Sequence, residues 1–131
     1  MEKHTREIIT KLSVAELQLI QTKLAHKVLL VKFGATWCGP CKKIKPQCEE
    51  WLNTCPPNII YADIDIDESV ELYMQLKKNK MVNGIPVILA FYDTNTPRDK
   101  WFIPNDSVTG SGPTLVQAFL DRCFDKANSL I

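Results

Sequence analysis

Two cysteines separated by two residues, Trp37-Cys38-Gly39-Pro40-Cys41, are the groups in this 131-residue chain best placed to do chemistry. They stand between a β-rich apolar run, Val28 to Phe33, and a helical pattern that begins at Cys41. A thiol at a helix N-terminus faces unpaired backbone N–H groups and the positive end of the helix dipole, both of which favour the thiolate. The thiolate is the nucleophile of disulfide exchange. Cys38 therefore reads as the attacking group. The turn of the helix brings Cys41 back within reach to resolve a mixed disulfide formed on Cys38. Gly39 permits the tight approach and Pro40 suits the first helical position. Two cysteines at this spacing are a weak signal alone; the strand before them and the helix after make it a strong one.

The other candidates read as structure. Cys48 and Cys123 fall on apolar helix faces, where a thiol serves as a small core hydrophobe. Cys55 ends a helix and is read as partly exposed. His4 and His26 are the only histidines and neither is near a cysteine, so no zinc site is expected. Neither a phosphate-binding GxxxxGK[ST] loop nor a GxGxxG fingerprint occurs, and so few histidines leave no serine triad to argue. No cofactor is expected.

The dithiol needs elements to hold it. Residues 6–12 read as a short first strand. Ser13 followed by Glu16 fits a capping box opening a helix through Leu17, Ile20 and Leu24 to about His26. Val28 to Phe33 lacks alternation and reads as a central strand buried on both faces. The helix after the cysteines carries Ile44, Cys48, Trp51 and Leu52, with Pro46 expected to kink it. Ile59 to Ile64 is a third strand. Asp67 or Ser69 opens a helix through Val70, Tyr73, Met74 and Lys77, and the KKNK run at 77–80 reads as its solvated end. Val87 to Tyr92 is a buried strand and Lys100 to Ile103 an edge strand, followed by a loop, PNDSVTGSG. The last helix shows Leu115, Val116, Phe119, Leu120, Cys123, Phe124 and Ala127. The order β-α-β-α-β-α-β-β-α implies one α/β domain over 1–131, a mixed sheet of four to five strands flanked by four helices.

Composition narrows the function classes. Sixteen basic residues nearly cancel fifteen acidic ones, so no global field points to nucleic acid or an anionic membrane. The longest apolar stretch, Ile85 to Tyr92, is far too short to span a bilayer. The opening MEKHTREII has no apolar signal region, and five cysteines are an odd count for a disulfide framework; a cytoplasmic chain is expected.

Residues 28–46, VLLVKFGATWCGPCKKIKP, closely resemble the active-site segment of thioredoxins, and a weaker likeness extends over most of the chain. The resemblance implies the thioredoxin fold and protein thiol–disulfide exchange, with protein disulfides as substrates. It implies an external NADPH-dependent thioredoxin reductase as electron source, and a monomer. Gly84-Ile85-Pro86 is similar to the family's cis-proline loop, and Val108-Thr109-Gly110 to a third substrate-contacting loop. Trp37, Ile66, Gly84, Ile85, Pro86, Thr109 and Gly110 would then surround the dithiol, and the Ile85 backbone would pair with an extended substrate.

The chain departs from the family at Lys32, where thioredoxins usually carry a buried aspartate behind the resolving cysteine, and at Asp63, where they usually carry a lysine. A lysine is ordinarily protonated and cannot accept a proton as the carboxylate does. A buried cation needs a partner. Lys32 and Asp63 are therefore expected to form a reversed ion pair behind Cys41, with Asp63 as the proton acceptor. The segments 67–86 and 92–110 are longer than usual, and such loops can select substrates. The competing readings are a thioredoxin-like adaptor or redox-sensing binding module for one partner, and an oxidase or isomerase.

Overall fold

A computed structural model of the chain describes residues 6–131. His4, one of the two histidines weighed as metal ligands, lies outside them. Five strands form one mixed sheet in the order β1-β3-β2-β4-β5. They are β1 (Ile8–Ile9), β2 (Val28–Gly34), β3 (Ile59–Asp65), β4 (Val87–Phe91) and β5 (Asp106–Thr109). β1, β3 and β2 run parallel; β4 is antiparallel to β2, and β5 to β4. The helices are α1 (Val14–Gln21), α2 (Gly39–Thr54), α3 (Val70–Lys78) and α4 (Pro113–Leu130).

The central position of β2 explains its sequence. All seven residues are buried. Leu29, Val31 and Phe33 face one apolar layer with Leu17 of α1 and Leu72, Tyr73 and Leu76 of α3. Val28 and Leu30 face the other with Ile44, Cys48, Trp51 and Leu52 of α2 and Val116, Phe119, Leu120, Cys123 and Ala127 of α4. A strand covered on both faces has no reason to alternate. The capping box of α1 is present: Glu16 N–H donates to Ser13 Oγ at 3.1 Å and Ser13 N–H to Glu16 Oε1 at 3.0 Å.

Several expected boundaries move. The first strand is two residues long, not seven. α1 stops at Gln21 rather than near His26, where φ is 63°; the Thr22 hydroxyl bonds Leu19 O at 2.6 Å, and Leu24 enters the core from the turn. α2 begins at Gly39 and continues through Pro46. α3 buries Leu72, Tyr73 and Leu76, while Val70 and Met74 face solvent.

The largest correction concerns the fifth strand. Lys100 to Ile103 is not a strand: Arg98–Lys100 forms a 3₁₀ turn, and Trp101 and Phe102 pack edge to face beside the α1–α3 layer. The edge strand is Asp106–Thr109, inside the stretch read as loop. Its polar sequence hides it, because Asp106 is satisfied by Arg122 of α4 at 2.8 Å rather than by apolar packing. That bond holds the Asp106 carboxyl below its ordinary range, helped by the Ser107 N–H and opposed by burial. A lowered folded-state value means stability present above the unfolded value of about 3.9 and lost as pH falls through the folded one. The Arg122 side of the pair is half exposed. Asp106→Asn is therefore expected to cost no more than about 1 kcal/mol at pH 7. The difference in urea midpoint should vanish in strong acid.

The long 92–110 segment begins at the end of β4 away from the cysteines. Val87 pairs with Phe33, near the cysteines, and Phe91 with Leu29, four residues away along β4. The excursion leaves from that far end, roughly 13 Å from the near one. β5 then brings the chain back, with Thr109 beside Val87.

Candidate active site

Cys38 is the N-cap of α2, in extended conformation at φ −91° and ψ 107°. Cys41 N–H, one of the helix's unpaired donors, points to Cys38 Sγ at 3.2 Å. The two cysteines are joined by a disulfide with their Cα atoms 5.3 Å apart. Pro40 sits second in the helix, not first, at a position whose missing N–H leaves no bond unmade. The role expected of Gly39 is not required here, since a Cβ at that position would meet nothing within 4 Å. Close approach is needed at Gly34 instead, where a Cβ would come within 3.4 Å of Cys41 Cβ and Sγ.

Ala35, Cys38 and Cys41 form a small buried cluster, and Ile66 and Ile85 pack against it. Ile66 N–H is tied to Gly34 O at 2.9 Å. The Ile85–Pro86 peptide is cis. Its loop is held from both sides: the Tyr73 hydroxyl accepts from Gly84 N–H at 3.2 Å, and Pro86 O accepts from Gly110 N–H at 2.8 Å. Gly84 at φ 135° and Gly110 at φ 97° adopt backbone that a side chain would strain. Gly84, Pro86, Thr109 and Gly110 thus form one connected rim. Trp37 stands apart, largely exposed, with its indole N–H donating to Asp67 Oδ2 at 2.8 Å. Ala35, Asp67 and Tyr73 were not among the sequence candidates, because their parts depend on contacts that no local motif announces.

Lys32 and Asp63 are register partners on β2 and β3, and their charges meet at 3.5 Å. The Lys32 side chain is 5% exposed and that of Asp63 35%. Both line a cleft of about 440 Å³ that also touches Gly34, Ala35 and Cys41. Cys48 and Tyr61 lie on the same side of the sheet. Burial raises the Cys48 thiol, with Lys32 opposing, and burial pushes the Tyr61 hydroxyl well above its ordinary range. Both stay protonated at neutral pH.

The remaining thiols are poor nucleophiles. Cys123 is pushed up to about 12 by burial and by Asp106, and half-buried Cys55 is also raised by burial. Since the thiolate is the reacting form, Ellman's reagent on the folded, oxidised protein should find no more than Cys55 within minutes. All three free thiols, Cys48, Cys55 and Cys123, should react in denaturant. Among the described residues no group of three or more His, Cys, Asp or Glu side chains could hold a metal ion.

The arrangement suits a reversible dithiol–disulfide couple at a helix N-terminus beside a cis-proline loop, and comparison with known proteins agrees. The thioredoxin family model matches residues 10–103. Thioredoxin-2 of Pyricularia oryzae is 35% identical over 96 residues, 73% of this chain and 48% of that protein. Protein disulfide-isomerase A4 of Rattus norvegicus is 36% identical over 94 residues, 66% of this chain and 14% of that protein. The chain thus spans about half the length of the first relative and a small part of the second. The solved thioredoxin of Malassezia sympodialis superposes with a TM-score of 0.66 at 24% identity, covering 93% of this chain and 94% of that one, a likeness of fold. On the extent of the family match and the dithiol at its expected place, the chain belongs to the thioredoxin family.

Proposed function

We propose that this chain is a thiol–disulfide oxidoreductase that reduces protein disulfides. The observation that carries the reading is the Cys38–Cys41 bond at the N-terminus of α2, with the Cys41 N–H aimed at Cys38 Sγ. In the reduced form, the Cys38 thiolate attacks one sulfur of a substrate disulfide. A mixed disulfide forms, and the first substrate sulfur leaves as a thiolate that takes a proton. Cys41 loses its proton and attacks Cys38 Sγ. The Cys38–Cys41 disulfide forms and the second substrate sulfur leaves. The substrate gains two electrons and the chain loses two.

Asp63 is the acceptor proposed for the Cys41 proton. It stands at the solvated side of the cleft that Cys41 lines, one-third exposed, with Lys32 behind it. Ile66 and Ile85 flank the dithiol, and the rim of Gly84, Pro86, Thr109 and Gly110 supplies backbone for an extended substrate. The electrons come from an external thioredoxin reductase using NADPH, and the working form is a cytoplasmic monomer.

The test is dithiothreitol-driven reduction of insulin by the wild type and by Cys38→Ser. Multiple turnover that disappears in the variant is the expected result. No rate above background, with the Cys38–Cys41 disulfide still forming and reopening, would overturn the reductase reading in favour of a module that binds one partner.

A further inference from the structure

Three of the large hydrophobic side chains that stand out into solvent are Trp37, next to Cys38, and two on α3, the helix that follows Ile66 beside the dithiol. Trp37 is 66% exposed, Val70 55% and Met74 53%. The Trp37–Asp67 hydrogen bond ties the indole to the residues just before α3. Val70 and Met74, four apart on that helix, share its outer face, opposite the buried Leu72 and Leu76. Lys77 and Lys78 continue the same face, seven residues after Val70 and four after Met74. With Lys80, they are exposed and have no carboxylate within ion-pair distance among the described residues. The acids at the start of α3 are different. Asp67 accepts the Trp37 N–H, and Glu68 lies 3.8 Å from Lys11. Glu71 stands beside the strip, exposed.

The strip therefore begins beside the attacking cysteine, is apolar over one helical turn from Val70 to Met74, and ends in positive charge that no carboxylate pairs among the described residues. We infer that it is a docking surface for the substrate polypeptide itself. An apolar side chain of the substrate lies on Val70 and Met74, and an acidic one sits over Lys77 and Lys78. Seven helical residues from Val70 to Lys77 advance about 10 Å, and an extended chain covers that distance in about three residues. Preferred substrates thus carry acidic residues about three positions beyond the apolar one. The inference rests on Cys38 being the attacking thiol, and adds a selectivity that the dithiol and its rim do not supply.

The experiment uses the Cys41→Ser chain, so that only attack by Cys38 is read. Peptides carry one cysteine, activated as its mixed disulfide with thionitrobenzoate, then leucine, then two glutamates about three residues further on. In a matched set the glutamates are glutamine. Release of thionitrobenzoate gives the second-order rate. At low salt the glutamate peptide is expected to react about tenfold faster, and the difference should collapse at high salt. Lys77→Glu/Lys78→Glu should abolish the preference. Met74→Ser should slow both peptides and leave neutral hydroxyethyl disulfide unaffected.

Equal rates for the two peptides at low salt would overturn the inference, as would a preference that survives the lysine substitutions. So would a concentration-dependent dimer of the wild type that Met74→Ser dissolves, since the strip would then be covered by a second copy. The readout needs no turnover. A chain that selects acidic peptides but fails to reduce insulin would refute the reductase reading and leave the docking surface standing.

Discussion

Replacing Cys41 by serine is expected to stop turnover while leaving Cys38 able to attack once. Pre-reduced Cys41→Ser chain mixed with insulin, without added thiol, should accumulate a mixed disulfide on Cys38, read as a mass increase under non-reducing conditions. The expected loss in the rate of resolution exceeds a thousandfold. The resolving thiol is held three residues from Cys38, with a Cα separation of 5.3 Å. Well-oriented intramolecular attack corresponds to effective concentrations on the order of 10⁵ M or more, against millimolar for any thiol in solution. Nothing else in the chain can stand in. Cys48 and Cys123 are buried in the layer beneath α2 and α4, and Cys123 is pushed up to about 12. Cys55, the C-cap of α2, stands at the opposite end of that helix from Cys38. Release of the second insulin sulfur at the wild-type rate would mean that another group resolves the intermediate, and Cys41 would lose its assigned role. Cys38→Ser should remove even the first attack.

The site was legible in the sequence to the extent that it is local. Cys38 and Cys41 are three residues apart on the first turn of a helix, and that spacing alone places one thiol against the other. β2 announced itself over Val28 to Phe33 by an apolar run without alternation, broken only by Lys32, and the structure adds Gly34 to make seven buried residues. Lys32 and Asp63 were pairable in advance only through the family resemblance, in which the two charges look exchanged; the structure sets them side by side on parallel β2 and β3. What the sequence hid depends on distant partners. β5 offers one apolar residue, Val108, and its Asp106 is settled by a guanidinium sixteen residues away. Trp101 and Phe102 have the β-forming side chains that suggest a strand, but packing beside the α1–α3 layer satisfies them from a turn. Val70 and Met74 have the spacing of a buried face, yet Leu72, Tyr73 and Leu76 occupy the core side of α3. A short helix with apolar residues on most sides cannot declare which ones its neighbours will cover.

The two halves of the Lys32–Asp63 pair should prove unequal. Asp63→Asn is expected to destabilise the oxidised chain by about 3 kcal/mol, and Lys32→Met by less than about 1 kcal/mol. The asymmetry follows from burial. Lys32 is 5% exposed at the side chain, fixed in the middle of the central strand, and its ammonium has one carboxylate near it, 3.5 Å away. Taking that carboxylate away leaves a cation in low dielectric with no counter-charge, the costly way to break a buried pair. Asp63 is 35% exposed and lines the open cleft, so removing Lys32 leaves an anion that water can solvate, while methionine fills the lysine's place with apolar volume. Urea unfolding reads both, as a lowered midpoint at unchanged slope. The double variant should recover most of what Asp63→Asn loses, because the stranded charge is then gone. Equal and small losses would mean that the ammonium reaches water through the cleft. In that case Lys32 would not oblige the chain to keep a carboxylate behind Cys41, and Asp63 would have to be justified by proton transfer alone. A large loss ties the two together: the buried cation obliges the neighbouring strand to keep a carboxylate, and the fold itself then holds Asp63 in the cleft that Cys41 lines, as the proposed proton acceptor requires.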